Sequence, residues 1–374
     1  MIKKIISVVI TGLIVGTTVA LLVQFFLYSI EFLSDFFRKD FNEISSTLQL
    51  ILYFLIIPLL VGLFVGLIRN LNEGKRWHGP PDVILSVHQD KLKLNIKSGF
   101  LTTIASILSI SVGSSVGQYG PLVHFGGTIG AEIKKLFSYA PDYKILVSAG
   151  VASAISSGFG APLAGLIFAR EVVLRHQSLA SFSPILLSSI ISYVITTKIF
   201  NYEPTFEIPF VEVDTVYEVL IIIFGGLIVG LFASFYSFML TTKKLNLLNF
   251  GSTPILAPAY AALICGLVSI KFPEVTGVGV ETINNLLNFK VDLSSAIIFL
   301  FLKILLTTIC IRMGLVGGIF APALFVGASL GVIIYYLGSL FITDLNPTIV
   351  IISSMAAFGS CIIGGPIANV LIIF

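Results

Sequence analysis

The stretch Gly113-Ser114-Ser115-Val116-Gly117-Gln118-Tyr119-Gly120-Pro121 combines glycines, which free the backbone to bend, with a proline that suits the first turn of a helix. The helix it opens continues through Ile133. A helix start carries up to four N–H donors without acceptors and a partial positive charge. Apolar residues flank the stretch on both sides, so those donors fall in a hydrophobic layer, where an anion would satisfy them. Gly317-Gly318-Ile319-Phe320-Ala321-Pro322 and Gly79-Pro80-Pro81 have the same character. Three helix heads, at Pro81, Pro121 and Pro322, aimed at one buried point would hold a small anion without a buried Lys or Arg, whose full charge would bind it too tightly for transit. Taken alone, the same stretches also read as kinks and close-packing glycines of membrane helices.

Other chemistries find less support. His88, His124 and His176 are scattered and form no His-x-x-x-His or His-Glu-x-x-His spacing, so neither a metal site nor a cofactor is expected. Ser156-Ser157-Gly158-Phe159 faintly suggests an intramembrane serine protease, but no base for the nucleophile is identifiable, and no enzymatic activity is expected. Cys265, Cys310 and Cys361 lie in apolar segments without a Cys-x-x-Cys pair and read as packing residues.

The elements that must position these residues are membrane helices. Hydrophobic residues make up 56% of the chain and charged residues only 11%, and the mean hydropathy is +1.03; soluble domains are nearer a quarter charged. A formal charge of +3, without a basic stripe, excludes nucleic acid as a partner. The apolar run from Ile5 to about Phe37 is too long for a signal peptide, and 46–68 forms its return helix. Lys3, Lys4, Arg69, Lys75 and Arg76 then share one side, which the bias of Lys and Arg makes cytoplasmic, although Arg38 and Lys39 weaken the asymmetry.

After the polar stretch 74–82 and a charged link through Lys97, apolar segments follow at about 98–112, 121–137, 144–157, 162–175 and 183–199. Several are shorter than the roughly 20 residues of a full span, which predicts tilted, broken or half-spanning helices. A polar link with Glu203, Glu207, Glu212 and Asp214 precedes a second hairpin, 217–241 and 254–271 around Lys243 and Lys244, and a span at 294–312. Pro121, Gly126 and Gly130 recur as Pro322, Gly327 and Gly331, each 201 positions on, and Pro162 recurs as Pro366, 204 positions on. These matches predict two repeats, 1–215 and 216–374, inverted in the membrane with their broken helices meeting near the midplane. The first repeat runs past Pro162 to 183–199, whereas nothing after Pro366 is long enough to span, so the second is expected to be C-terminally truncated, as a fragment or a shortened variant.

Gly117-Gln118-Tyr119-Gly120-Pro121 with Gly126-Gly127-Thr128-Ile129-Gly130, Ala161-Pro162-Leu163-Ala164-Gly165-Leu166-Ile167-Phe168, Gly318-Ile319-Phe320-Ala321-Pro322, and Lys303 and Thr307 on the preceding span resemble the CLC family of chloride channels and proton-coupled chloride exchangers. The resemblance covers nearly the whole chain. It implies an all-α polytopic membrane protein with an inverted-repeat bundle, a homodimer in lipid with one anion pathway per subunit, in the inner membrane of a bacterium. The pathway would run past His78, Gly79, Pro81, Gly117, Gln118, Tyr119, Gly120, Pro121, Gly318, Ile319, Phe320 and Ala321.

Departures from the family pattern bear on mechanism. Tyr119 stands where Gly-Arg-Glu-Gly-Pro has its gate glutamate, and a phenol stays neutral at physiological pH. The internal proton glutamate of exchangers aligns with Val172. Glu171, one position earlier and about 100° round a helix, either substitutes as a proton or gating group or pairs with Arg170 or Arg175. The Gly-Ser-Gly-Ile-Pro motif, whose serine binds the central anion, is similar to Trp77-His78-Gly79-Pro80-Pro81, with His78 in the serine's place; its imidazole could donate to an anion and gate by protonation. The family's C-terminal anion-binding tyrosine has no counterpart. The expected function is passive conduction of chloride or a similar anion without obligatory proton exchange. The alternatives are a coupled exchanger with unusual proton groups, a non-conducting structural or regulatory subunit, and, last, an intramembrane hydrolase.

Overall fold

Long apolar runs with few charges fold as helices because, away from water, a helix satisfies its own backbone. The computed structural model describes residues 2–38, 43–89, 93–137, 140–175, 179–202, 205–209, 216–242, 255–342 and 345–374. Lys39, His176, Glu203, Glu212, Asp214, Lys243 and Lys244 lie outside the described residues, as do the side chains of Lys3 and Lys4.

The first half comprises α1 (Ile2–Phe37), α2 (Thr47–Ile51) joined through a π-helical turn to α3 (Ile57–Leu71), α4 (Pro80–His88), α5 (Ile96–Ser111), α6 (Tyr119–Leu136), α7 (Tyr143–Phe159), α8 (Pro162–Phe168) and α9 (Leu179–Lys198). The second comprises α10 (Val216–Thr241), α11 (Leu256–Ser269), α12 (Val280–Leu287), α13 (Leu293–Met313), α14 (Phe320–Gly338), α15 (Pro347–Ile363) and α16 (Pro366–Ile373). Ile6–Phe37, Thr47–Leu71, Val216–Thr241, Leu293–Arg312 and Phe320–Gly338 are long and apolar enough to cross a membrane. The expected short helices are present as α4, α8 and α16. The amphipathic α12 and the apolar α15 add two elements to the expected set. This is an all-helical integral membrane protein.

Side-chain caps set several starts: Ser46, Asn95, Asp292 and Asn346 accept N–H groups of the first turns of α2, α5, α13 and α15. Small residues let helices touch backbone to backbone. On α6, a Cβ on Gly130 would meet the Leu146 carbonyl oxygen of α7; on α14, one on Gly331 would fall 2.6 Å from Ile351 Cα of α15. Gly160 (φ +69°) ends α7 before Pro162, and Gly364 (φ +75°) ends α15 before Pro366; both need the left-handed conformation that glycine adopts without strain.

Polar side chains inside the bundle pair with one another. Ser157 Oγ lies 2.6 Å from Thr196 Oγ1, and Gln24 Nε2 donates to Ser157 Oγ at 3.3 Å, which ties α1, α7 and α9 together. Ser157 is thus a packing hydroxyl, its side-chain partners among the described residues being Gln24 and Thr196. Lys303 is fully buried and donates to the Val275 and Gly277 carbonyls, while Arg312 donates to the Met239 carbonyl. Cys265 and Cys310 are buried with their sulfurs 3.3 Å apart, but Cys361 is exposed, so the packing expectation holds for two of the three cysteines.

Candidate anion pathway

The loops before α6 and α14 are bolted together by their glycines. Gly117 N–H donates to the Gly318 carbonyl at 2.7 Å, and Gly318 N–H returns the bond to Gly117 at 2.5 Å. Ser115 Oγ lies 3.2 Å from Thr307 Oγ1, and Val316 N–H donates to Ser109 Oγ at 3.2 Å, so both loops are anchored on α13 and α5. The backbones touch: a Cβ on Gly120 would sit 2.8 Å from Gly318 Cα. Two residues beyond each bridged glycine, Tyr119 and Phe320 begin α6 and α14, and their rings lie 6.2 Å apart. Helical geometry gives the N–H groups of Tyr119, Gly120, Phe320 and Ala321 no acceptor within their own helices.

These heads open on a cavity of about 830 Å³, lined by His78, Gly79, Pro81 and Asp82 before and in α4, by Tyr119, Gly120 and Pro121, and by Gly317, Gly318, Ile319 and Phe320. The remainder of its wall is mostly apolar and includes Phe168 and Val172. Gly117, Gln118 and Ala321 are buried behind the wall, and the N–H groups of Gly117 and Gly318 are spent on each other. Trp77 Nε1 donates to the Gly314 carbonyl at 2.8 Å, which fixes the segment before α4 against the loop before α14.

The head of α4 differs from the other two. Its Gly79 N–H donates to Asp82 Oδ2 at 2.9 Å, so a carboxylate of the chain itself sits where an anion was expected. Arg76 Nη2 donates to Asp82 Oδ1 at 2.5 Å, and His78 Nδ1 lies 3.6 Å from the same oxygen, with His78 Nε2 3.2 Å from the Glu73 carbonyl. Burial alone would raise the Asp82 carboxyl, but His78, Arg76 and the Gly79 N–H outweigh it and hold the group well below the carboxylate range. The Asp82 carboxylate, against the opposing effect of burial and with help from the Glu73 carbonyl, raises the His78 imidazole above its usual value.

A second cavity, of about 520 Å³, is lined by Phe159, Gly160, Thr205 and Phe206 among others. Tyr119 faces the first cavity and Phe159 the second, and the two rings stack at 3.6 Å between centroids. Phe320 packs edge-on against both rings, and Phe206 backs Phe159 at 6.3 Å. Tyr119 and Tyr202 both donate to the Gly158 carbonyl, at 3.2 and 3.0 Å. An aromatic partition therefore divides the two cavities.

Glu171 is on the π-helical turn after α8 and, among the described residues, forms no ion pair with an arginine. Its carboxylate accepts the Ile367 and Ala368 N–H groups at 3.4 and 2.9 Å, capping α16; the widened π turn carries it to that helix head. Asp82, Phe159, Tyr202 and Phe206 belong to the site yet went unmarked in the sequence. Only Asp82 had a local signal, three residues after the Gly79 that precedes the helix, the spacing of a capping carboxylate.

A family model described as voltage gated chloride channel matches residues 59–374. The voltage-gated ClC-type chloride channel ClcB of Salmonella typhi is 27% identical over 259 residues, which cover 69% of this chain and 62% of that protein. Chloride channel protein CLC-e of Arabidopsis thaliana is 30% identical over 291 residues, covering 72% of this chain and 41% of that one. The chain thus spans less than two thirds of the length of these curated relatives. A slow cyanobacterial Cl⁻/H⁺ antiporter of known structure superposes with a TM-score of 0.85 at 22% identity, covering 98% of this chain and 88% of its own, so the fold is shared. With the family match running across most of its length, this chain belongs to the voltage-gated chloride channel family.

Proposed function

We propose that the protein passes chloride or a similar small anion across the membrane through the large cavity, without obligatory proton exchange. The observation that carries this reading is the reciprocal Gly117–Gly318 bridge, which turns two helix heads onto one cavity. Residues Tyr119, Gly120, Pro121, Gly318, Ile319 and Phe320 would form the anion's path, with Phe320, Tyr119 and Gly120 offering backbone N–H groups and Ala321 supporting the α14 head from behind. His78, Gly79 and Pro81 would flank its entrance. Gly117 and Gln118 would support the α6 loop from behind. The two repeats, 1–215 and 216–374, would meet at this bridge, since its glycines are themselves 201 positions apart, as Tyr119 and Phe320 are. The working unit would be a homodimer in the inner membrane of a bacterium, with the N-terminus cytoplasmic.

Lack of obligatory coupling rests on Tyr119 and Val172, neutral side chains at the two positions where exchangers of the family carry glutamates. Coupled exchange is the second reading, favoured by the antiporter nature of the structural neighbour and by Asp82 and His78 in the cavity wall. Purified protein in liposomes, followed with chloride and proton electrodes, separates the two. Passive conduction predicts chloride movement down its own gradient with no fixed proton count; uphill chloride uptake driven by a pH gradient is the outcome of exchange.

A further inference from the structure

His124 sits on α6 about one and a half turns beyond the helix head and is 1% exposed. Its Nδ1 has no hydrogen-bond partner among the described residues. That is unusual, because a buried imidazole normally finds partners for its ring nitrogens, and an orphan calls for a water or ion to explain it. Its ring lies beside that of His78, with centroids 5.8 Å apart and planes tilted by 33°. Scattered in the sequence, the two histidines meet because α4 packs on α6. His78 lines the large cavity, and His124 lies buried behind it.

The charges acting on His124 are those of His78, Asp82 and Arg76. The helices packed on α6 carry Asp82 and His88 (α4), Lys97 (α5), Tyr143 and Lys144 (α7), Lys3, Lys4, Tyr28, Glu31 and Asp35 (α1), and Tyr335 and Tyr336 (α14); α6 itself carries Tyr119 at its head and Glu132, Lys134 and Lys135 near its end.

We propose that His78 and His124 form a proton-binding site at the mouth of the cavity, loaded from the cavity side. The first proton stays on His78, held between Asp82 and the Glu73 carbonyl. The second comes by way of His78: a cavity hydronium gives its proton to His78 and becomes water, while His78 passes a proton on and an N–H bond forms at His124 Nδ1. One imidazolium in the cavity wall and a second behind it then draw anions into the pathway. That consequence rests on the reading of the cavity as an anion pathway; the proton site does not.

Histidine-labelled full-length protein, titrated by NMR in nanodiscs, tests the site without reference to transport. His78→Gln is expected to raise the His124 midpoint by about one pH unit or more, because a cation this close opposes a second protonation. His78→Asn serves if the glutamine variant does not fold. A His124 midpoint that is the same in variant and wild type, or a His124 that never titrates, overturns the proposal. In liposomes, anion efflux should rise as the pH falls from about 6 to about 4, and His124→Gln should abolish the rise; a rise of equal size in that variant also overturns it. Wild-type vesicles that release no anion at any pH would count against the anion pathway, while the NMR midpoint still decides the proton site.

Discussion

Tyr119 does at one position what two kinds of side chain would do elsewhere. Its ring stacks on Phe159 and closes the way between two cavities, while its hydroxyl is tied to the Gly158 carbonyl. Such a stack is worth about 1 kcal/mol beyond burial, so Tyr119→Ala should speed anion flux roughly fivefold. Tyr119→Phe keeps the stack and should leave flux within about twofold of wild type, since it loses only one hydrogen bond of about 1 kcal/mol. Stopped-flow anion efflux measures both, and an alanine variant no faster than wild type would remove the partition from the account. At the other wall, Asp82 sets the charge of His78. Because the His78 value is raised, the favourable contact is fully present below the ordinary histidine value and fades as pH climbs through the raised one. The Asp82 value is depressed, so its contribution is present above the ordinary carboxylate range and fades as pH falls through the depressed one. The pair is strongest between those limits. Asp82→Asn should therefore move the His78 midpoint down toward about 6.5, a change read by histidine NMR.

Elements are held by contacts whose strength differs along each helix. Gly130 leaves no room for a Cβ against Leu146, whereas Gly226 on α10 has nothing within 4 Å. Gly130→Ala is expected to destabilise the protein by about 1–3 kcal/mol or more, and Gly226→Ala to be neutral or stabilising by up to about 1 kcal/mol. Unfolding in detergent with denaturant compares them; equal midpoints would mean that the α6–α7 contact is looser than described. Glu171 acts as a cap rather than as a partner of Arg170 or Arg175. Glu171→Gln should speed hydrogen exchange at Ile367 and Ala368 by about fivefold, the equivalent of a lost cap of about 1 kcal/mol, and leave the ratio of protons to anions moved unaltered. The helix heads were legible in sequence because glycine and proline act locally. The π turn that redirects Glu171 was not, since a helix count in steps of 100° has no term for an inserted residue.

Across the whole molecule, the spacing of 201 positions pairs Pro121 with Pro322 in the sequence, and the fold adds that Gly117 and Gly318, at the same separation, bond to each other. A periodic signal of this sort is readable in one dimension because each half repeats its turn chemistry. The aromatic partition and the meeting of His78 with His124 were hidden for the opposite reason: each needs residues from separate elements to converge, and phenylalanine and histidine carry no mark of their partners. Asp82 puts a carboxylate in the cavity wall, yet it is paired with Arg76 and His78 and occupies the α4 head rather than the junction of α6 and α14. Tyr119 and Val172 add only neutral side chains to the wall of the same cavity. The most direct test is the reversal potential of anion current in planar bilayers containing the purified protein, with a chloride gradient and an imposed pH gradient. The account predicts a potential that follows the anion gradient alone and ignores pH; a potential displaced by the pH gradient in fixed proportion would contradict it.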